Sequence, residues 1–247
     1  MKKMRNTLAV LLTALLVFAC ALPAFAAKDM LVFLSVDGIS ETLYEGSMTV
    51  PAGASVLDAL KATGLEVVTA EGADGLRVVS IAGDAEKTFG GADGWYYDIG
   101  FDDCTVPMDK KAVQATDSIH IYYADLTVGF QKPVMDPALD KGYIRFYSGE
   151  NTPVAGATMV IDGTYTFVTD ADGIVYLPEE LCENVHSYTL ERYTAQGLPT
   201  ILRAGGNYGF DPTLGPNLPV ASFLSRVIDW FYSLFDKIAA FFRGLVK

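Results

Sequence analysis

The chain has 247 residues, 51% hydrophobic, 19% charged and 12% aromatic, with a formal net charge of −12. That hydrophobic content excludes an intrinsically disordered chain, and the length accommodates one large domain or two of roughly 100 residues. The excess of acid leaves no field of Lys and Arg to displace phosphate counterions, so no nucleic-acid partner is expected.

The charge is unevenly spread. Residues 1–27 carry Lys2, Lys3 and Arg5 and no acid, followed by an apolar run from Leu8 to Ala21, then Pro23 and Ala24-Phe25-Ala26. This is the order of a secretory signal peptide, with cleavage expected after Ala26 or Ala27. The apolar run falls short of the ~20 residues that span a bilayer, which disfavours a retained anchor. Lipid attachment at Cys20 is the other alternative, and Phe18 is bulky for such a motif. The remaining cysteines, Cys104 and Cys182, are too few for a disulfide framework and are expected as partly buried free thiols.

From Met30 to Asp125 the pattern is strands with one helix. Leu31 to Val36 is a short apolar run ended by Asp37-Gly38, and Thr42 to Val50 includes alternation closed by Pro51. Ser55 caps a helix through Val56, Leu57, Ala59, Leu60 and Ala62, with Asp58 as capping-box partner and Gly64 as the stop. Val67-Val68, Leu76 to Ile81, Trp95 to Ile99 and Ile119 to Tyr123 read as further strands between Gly- and Asp-rich turns. Together these predict an α+β sheet with one helix packed across it.

The stretch Val50-Pro51-Ala52-Gly53-Ala54-Ser55-Val56-Leu57-Asp58-Ala59-Leu60-Lys61 resembles the start of the helix in the transcobalamin-like C-terminal domain. Val79-Ser80-Ile81-Ala82-Gly83 and Gly94-Trp95-Tyr96-Tyr97 resemble that family's S-I-x-G and G-W-x-Y signature. The resemblance covers residues ~30–125 and implies a β-grasp-like fold over residues 28–126, with cobalamin or another corrinoid as the leading ligand. The chain departs from the family in having Ile99-Gly100 after the Trp strand, where Asn-Gly is usual, and Asp117-Ser118 before the last strand, where Gly-Asp is common.

Residues 127–139 read as a linker interrupted by Pro133 and Pro137. A second β pattern follows over residues 140–210. Tyr143 to Tyr147 and Ala157 to Ile161 alternate, Asp162-Gly163 signals a hairpin, and Tyr165 to Val168 and Ile174 to Leu177 complete the set. Val154-Ala155-Gly156-Ala157 with Thr169-Asp170-Ala171-Asp172-Gly173 is similar to the carboxypeptidase-regulatory and collagen-adhesin B-type modules, which implies an all-β prealbumin-like sandwich. The adhesin version suggests an intramolecular isopeptide bond. Glu191 matches its carboxylate, but Arg145 stands near the lysine position and no Asn stands in a closing strand (Asn207 lies beyond Gly205-Gly206), so no crosslink is expected.

Residues 211–247 form a linker and a periodic tail. Phe223, Leu224, Val227, Ile228, Phe231, Leu234, Phe235, Ile238, Phe241, Phe242 and Leu245 recur at three- and four-residue steps, and Trp230 joins the candidate membrane-associating set. Arg226, Asp229, Asp236 and Lys237 make a spanning helix costly, so an interfacial C-terminal amphipathic helix is expected. Docking on its own domain or on a second copy is the alternative. Leu218-Pro219-Val220-Ala221-Ser222 only faintly resembles a sortase sorting motif.

Few residues suggest catalysis. His120 and His186 are the only histidines and fall in different domains, and no Gly-x-Ser-x-Gly, phosphate loop or Cys/His zinc spacing is present. Asp170-Ala171-Asp172-Gly173 echoes a calcium loop, but the alignment puts Val168 at its first ligand position, so it reads as a turn and no metal is expected. The candidate ligand-binding residues are Trp95, Tyr96, Tyr97, Phe89 and Phe101. Strand alternation puts Trp95 and Tyr97 on one face and Tyr96 on the other; one face must be core, and the other is free to stack on a flat ligand. The expectation is a non-enzymatic exported protein, without a cofactor, held at the outer face of the membrane or the cell surface. It captures a small ligand such as a corrinoid, with a surface transporter as a further partner. The competing reading is a structural or adhesive protein whose β modules bind protein or glycan.

Overall fold

The computed structural model describes residues 29–209. The expected signal peptide, the alternative at Cys20 and the expected C-terminal amphipathic helix all lie outside the described residues. Within them the chain is β-rich, with one α-helix and several sheets built around two separate cores.

In the N-terminal half, β1 (Met30–Asp37) and β2 (Thr42–Val50) pair antiparallel. Helix α1 (Val56–Ala62) follows. The Ser55 hydroxyl accepts the Asp58 N–H at 3.1 Å while the Asp58 carboxylate accepts the Ser55 N–H at 2.9 Å, a closed capping box. Gly64, at φ +81°, ends the helix. Strands β3 (Val67–Glu71), β4 (Leu76–Ile81) and β5 (Asp84–Ala85) then form a three-stranded sheet of their own, a departure from the single sheet expected. Strands β6 (Gly94–Ile99), β7 (Asp102–Asp103) and β8 (Ser118–Ala124) complete the main sheet in the order β2-β1-β8-β6-β7, with β1 and β8 parallel.

The two faces of this main sheet differ in chemistry. Val32, Leu34, Val36, Ile119, Ile121 and Tyr97 face a core closed by Val56, Leu57, Ala59 and Leu60 of α1. The opposite face carries Ser35, Asp37, Asp98, His120 and Tyr122, and these too are buried. A polar face taken out of water needs partners, and the C-terminal half supplies them.

That half contains β9 (Val134–Ala138), β10 (Tyr143–Ser148), β11 (Thr152–Pro153), β12 (Thr158–Ile161), β13 (Tyr165–Val168), β14 (Ile174–Tyr176), β15 (His186–Glu191) and β16 (Ala204–Tyr208). Strand β10 pairs with β9 on one side and with β14 and β11 on the other; the facing sheet runs β13-β12-β15-β16. Ile144, Phe146 and Val175 from one sheet meet Met159, Ile161 and Leu190 from the other. Two expectations are corrected here. Residues 134–138, read as linker, form an edge strand despite Pro137, because an outer strand needs no N–H on its free side. The glycine-rich segment at 204–208, expected to lie beyond the closing strand, is itself the last strand among the described residues, paired with β15. It carries Asn207 opposite Ser187; Arg145 still stands near the lysine position, so that part of the expectation is unaltered.

The β13–β14 turn depends on one glycine. Gly173 has φ +74°, and a Cβ there would meet the Phe146 carbonyl oxygen at 2.2 Å. Gly163 also has positive φ, at +63°, but open space around it. Gly173→Ala should therefore cost far more than the roughly 1–2 kcal/mol of left-handed strain expected for Gly163→Ala. Chemical denaturation of the two variants checks this, and equal midpoints would refute the packing argument.

Candidate functional site

The five residues nominated from sequence do not share one surface. Trp95 Nε1 donates to the Asp84 carbonyl at 3.0 Å, and the ring meets Tyr123 edge-on at 5.5 Å. Tyr97 is a core residue whose hydroxyl donates to the Val106 carbonyl at 2.6 Å. Phe89 lies against Tyr123 at 6.3 Å. These three are used in packing. Tyr96 points to the other face, stacks on Tyr122 at 6.5 Å and donates to the Ala92 carbonyl. Phe101 is 51% exposed and lies over His120, with ring centroids 5.0 Å apart.

The polar face of the main sheet gathers a cluster that the sequence reading did not assemble. Asp98 on β6 stands opposite His120 on β8 in the register, and its side chain has 0% exposure. His120 Nδ1 lies 2.7 Å from Asp98 Oδ1, and Lys132 Nζ donates to Asp98 Oδ2 at 2.6 Å. Lys132 also reaches Asp103 Oδ1 at 2.7 Å, and Tyr122 donates to that same oxygen at 3.1 Å. The Lys132 ammonium lies 5.3 Å from the centre of the Tyr122 ring. The available signal was the alternation Ser118-x-His120-x-Tyr122 beside Tyr96-x-Asp98, which puts titratable groups on one face. Lys132 carried no local signal, being placed by the partner half.

Ser118 Oγ lies 3.3 Å from His120 Nε2, so Ser118, His120 and Asp98 fall in the order of a hydrolytic triad. The carboxylate, however, is shared with the Lys132 ammonium, which takes up the charge an imidazolium would need in catalysis. The cluster has the make-up of a buried ion network.

Around it the halves meet through aromatic and charged groups. Phe130 stacks on Tyr122 at 5.1 Å with an interplanar angle of 5°, and Leu202 packs with Tyr122, Tyr96 and Phe130. Arg203 Nη1 approaches Asp37 Oδ1 at 3.6 Å and is buried without a hydrogen bond. The seam there, lined by Asp37, Tyr122, Glu191 and Arg203 among others, holds about 10 Å³, room for one water molecule. Glu191, matched above to an adhesin carboxylate, accepts from Tyr193 at 3.0 Å, while Arg145 Nε donates to the Asp172 carbonyl. Asp170 accepts the N–H groups of Asp172 and Ile174, so the calcium-like stretch is a side-chain-closed turn. Cys104 and Cys182 are free and half-buried.

Among the described residues, no element covers one sheet face of the C-terminal half. Tyr143, Arg145 and Tyr147 alternate outward along β10 while Ile144 and Phe146 go to the core. Their cross-strand neighbours are Tyr176 and Ile174 on β14, and Ala138, Asp136 and Val134 on β9. Tyr176 is 65% exposed and meets Tyr143 edge-on at 6.1 Å, and the Arg145 guanidinium sits 5.9 Å from the Tyr147 ring centre. The result is a strip of three tyrosines interrupted by an Arg145–Asp136 row.

No family model matches the chain, and no curated protein matches it. Among solved structures, haptocorrin in complex with Cbi is similar at 17% identity and a TM-score of 0.37, over 40% of this chain and 26% of that one. A candidate metal-binding protein from Ruminococcus gnavus is similar at 14% identity and a TM-score of 0.33, over 39% of this chain and 97% of that one. Likenesses of this strength say nothing about ligand or activity.

The buried network fixes a pH dependence. Burial works to raise the Asp98 carboxyl, but the hydrogen bonds and charges of His120 and Lys132 outweigh it and hold it below the usual value of 3.8. A lowered folded pKa contributes stability above the unfolded value and loses it as pH falls through the folded one. Asp98→Asn should be less stable than the parent at pH 7, with the gap narrowing below about pH 4 as the parent's carboxylate protonates. Urea denaturation from pH 7 to pH 3 measures the gap, and a pH-independent gap would refute the charge account.

Proposed function

We propose that this chain is an exported, non-catalytic binding protein of the cell surface, and that the open tyrosine face of its C-terminal half binds carbohydrate. The single observation behind this reading is that outward strip of Tyr143, Tyr147 and Tyr176. Sugar rings present C–H faces that stack on aromatic rings, and their hydroxyls need paired donors and acceptors. Arg145 and Asp136, opposite each other in the register, supply both. Tyr143 and Tyr147 are four residues apart on one strand, about 13 Å at the usual rise, which is the reach of a short oligosaccharide.

This is the adhesive reading of the sequence, narrowed to a glycan. Corrinoid capture is the weaker of the two, because its nominated rings Trp95 and Tyr97 are engaged in packing. An apolar, hydrogen-bonded ring in a core is not free to stack on a ligand.

Calorimetric titration of the full chain with chitohexaose, cellohexaose and, in parallel, cobinamide tests the assignment. Saturable oligosaccharide binding is expected. Tyr176→Ser should weaken it by roughly fivefold, the equivalent of about 1 kcal/mol for one lost aromatic contact. Cobinamide binding that survives Tyr176→Ser, with no oligosaccharide binding, would sink the glycan assignment in favour of the corrinoid one.

A further inference from the structure

The segment between the halves has two parts with different attachments. Asp125 caps a 3-10 turn over Leu126–Val128, and Gly129 follows at φ +81°. Residues 126–129 are all exposed, and nothing lies within 4 Å of a Cβ at Gly129. The next three residues belong to the C-terminal half. Gln131 N donates to the Thr200 carbonyl at 3.1 Å, and its own carbonyl accepts from Leu202 N at 2.8 Å. Gln131 Nε2 donates to the Pro153 carbonyl at 3.1 Å, and Lys132 N donates to Ser148 Oγ at 3.0 Å. Phe130 and Lys132 are therefore carried by the C-terminal half and reach across to the N-terminal one.

We infer that this arrangement is a hinge and a latch. Residues 126–129 are the hinge, and the Lys132 ammonium, inserted between Asp98 and Asp103, is the latch that joins two independently folded halves into one body. This goes beyond the binding assignment and is independent of it. Each half has its own core, so neither core needs the other half to fill it. The seam between them is polar and aromatic, with Arg203–Asp37 at 3.6 Å as a further charged contact beside those of Lys132. The groups facing Asp98 are His120 and Tyr122 from β8, Asp103 from β7 and Lys132. Of these only Lys132 comes from the other half. Withdrawing its ammonium leaves Asp98 with His120 and the Phe101 N–H, both on Oδ1, and removes the Lys132–Asp98 and Lys132–Asp103 ion pairs across the seam. Opening at the hinge then separates Phe130 and Leu202 from Tyr122 and Tyr96, uncovering an aromatic row that is closed in the latched form.

The test compares the full chain with Lys132→Met and with the double variant Asp98→Asn/Lys132→Met, by scanning calorimetry and small-angle scattering. The double variant is needed because Lys132→Met alone strands a buried carboxylate and can misfold for that reason; removing both charges avoids it. The parent should melt in one transition as a compact particle. The double variant should melt in two transitions with a larger radius of gyration, and trypsin-independent cleavage by elastase at residues 126–129 should accelerate. A double variant that keeps one transition, an unchanged scattering profile and the parent's cleavage rate overturns the latch. A variant in which one half is unfolded outright overturns the claim that the halves fold independently.

Discussion

Asp98 is a carboxylate with no access to water on a sheet face that in a smaller protein would be solvated. Taking such a charge out of water costs several kcal/mol unless opposite charge and hydrogen bonds replace the lost solvent. His120 and Lys132 replace it, one from the neighbouring strand and one from beyond the hinge. Much of the remaining architecture is arranged around that requirement: Phe130 covers Tyr122, Leu202 closes the aromatic row, and Arg203 faces Asp37.

The main sheet and the C-terminal sandwich treat their second faces in opposite ways. The first sheet buries a helix on one face and the partner half on the other, which is why its strands carry titratable groups that are nonetheless sealed. Among the described residues, the β9-β10-β14 sheet packs one face on its own core and presents the other partly to water, as an antiparallel sheet commonly does. One exposed tyrosine, Tyr176, and two half-buried ones, Tyr143 and Tyr147, stand on that face where polar residues would suffice for solvation, and that aromatic surface is the basis of the binding assignment.

Much of the local structure was legible. The Ser55–Asp58 capping box, the Gly64 stop and the strands expected at 31–36, 76–81, 143–147 and 157–161 follow from short-range rules of capping, alternation and turn chemistry, and all are present, the last over Thr158–Ile161. What failed locally failed for a tertiary reason. Residues 134–138 contain a proline and lack alternation, and become a strand only because β10 offers an unpaired edge. Ala204 to Tyr208 has two glycines and is held as a strand by β15. In both cases the ladder hydrogen bonds outweigh weak propensity.

The candidate site was less legible. Alternation correctly separated Trp95 and Tyr97 from Tyr96, but a period of two cannot say which face is core. Only the position of α1 decides that Trp95 and Tyr97 turn inward and Tyr96 turns toward the other half. By itself the sequence determined the β-rich character, the capped helix at Val56–Ala62, and the hairpin at Asp162-Gly163, because these depend on residues within a few positions of one another. The Asp98–His120–Lys132 network joins residues up to 34 positions apart, and the open tyrosine face needs three strands brought side by side. Neither leaves a local pattern, since the partners are chosen by the packing of distant elements and the cost of leaving a buried charge unpaired.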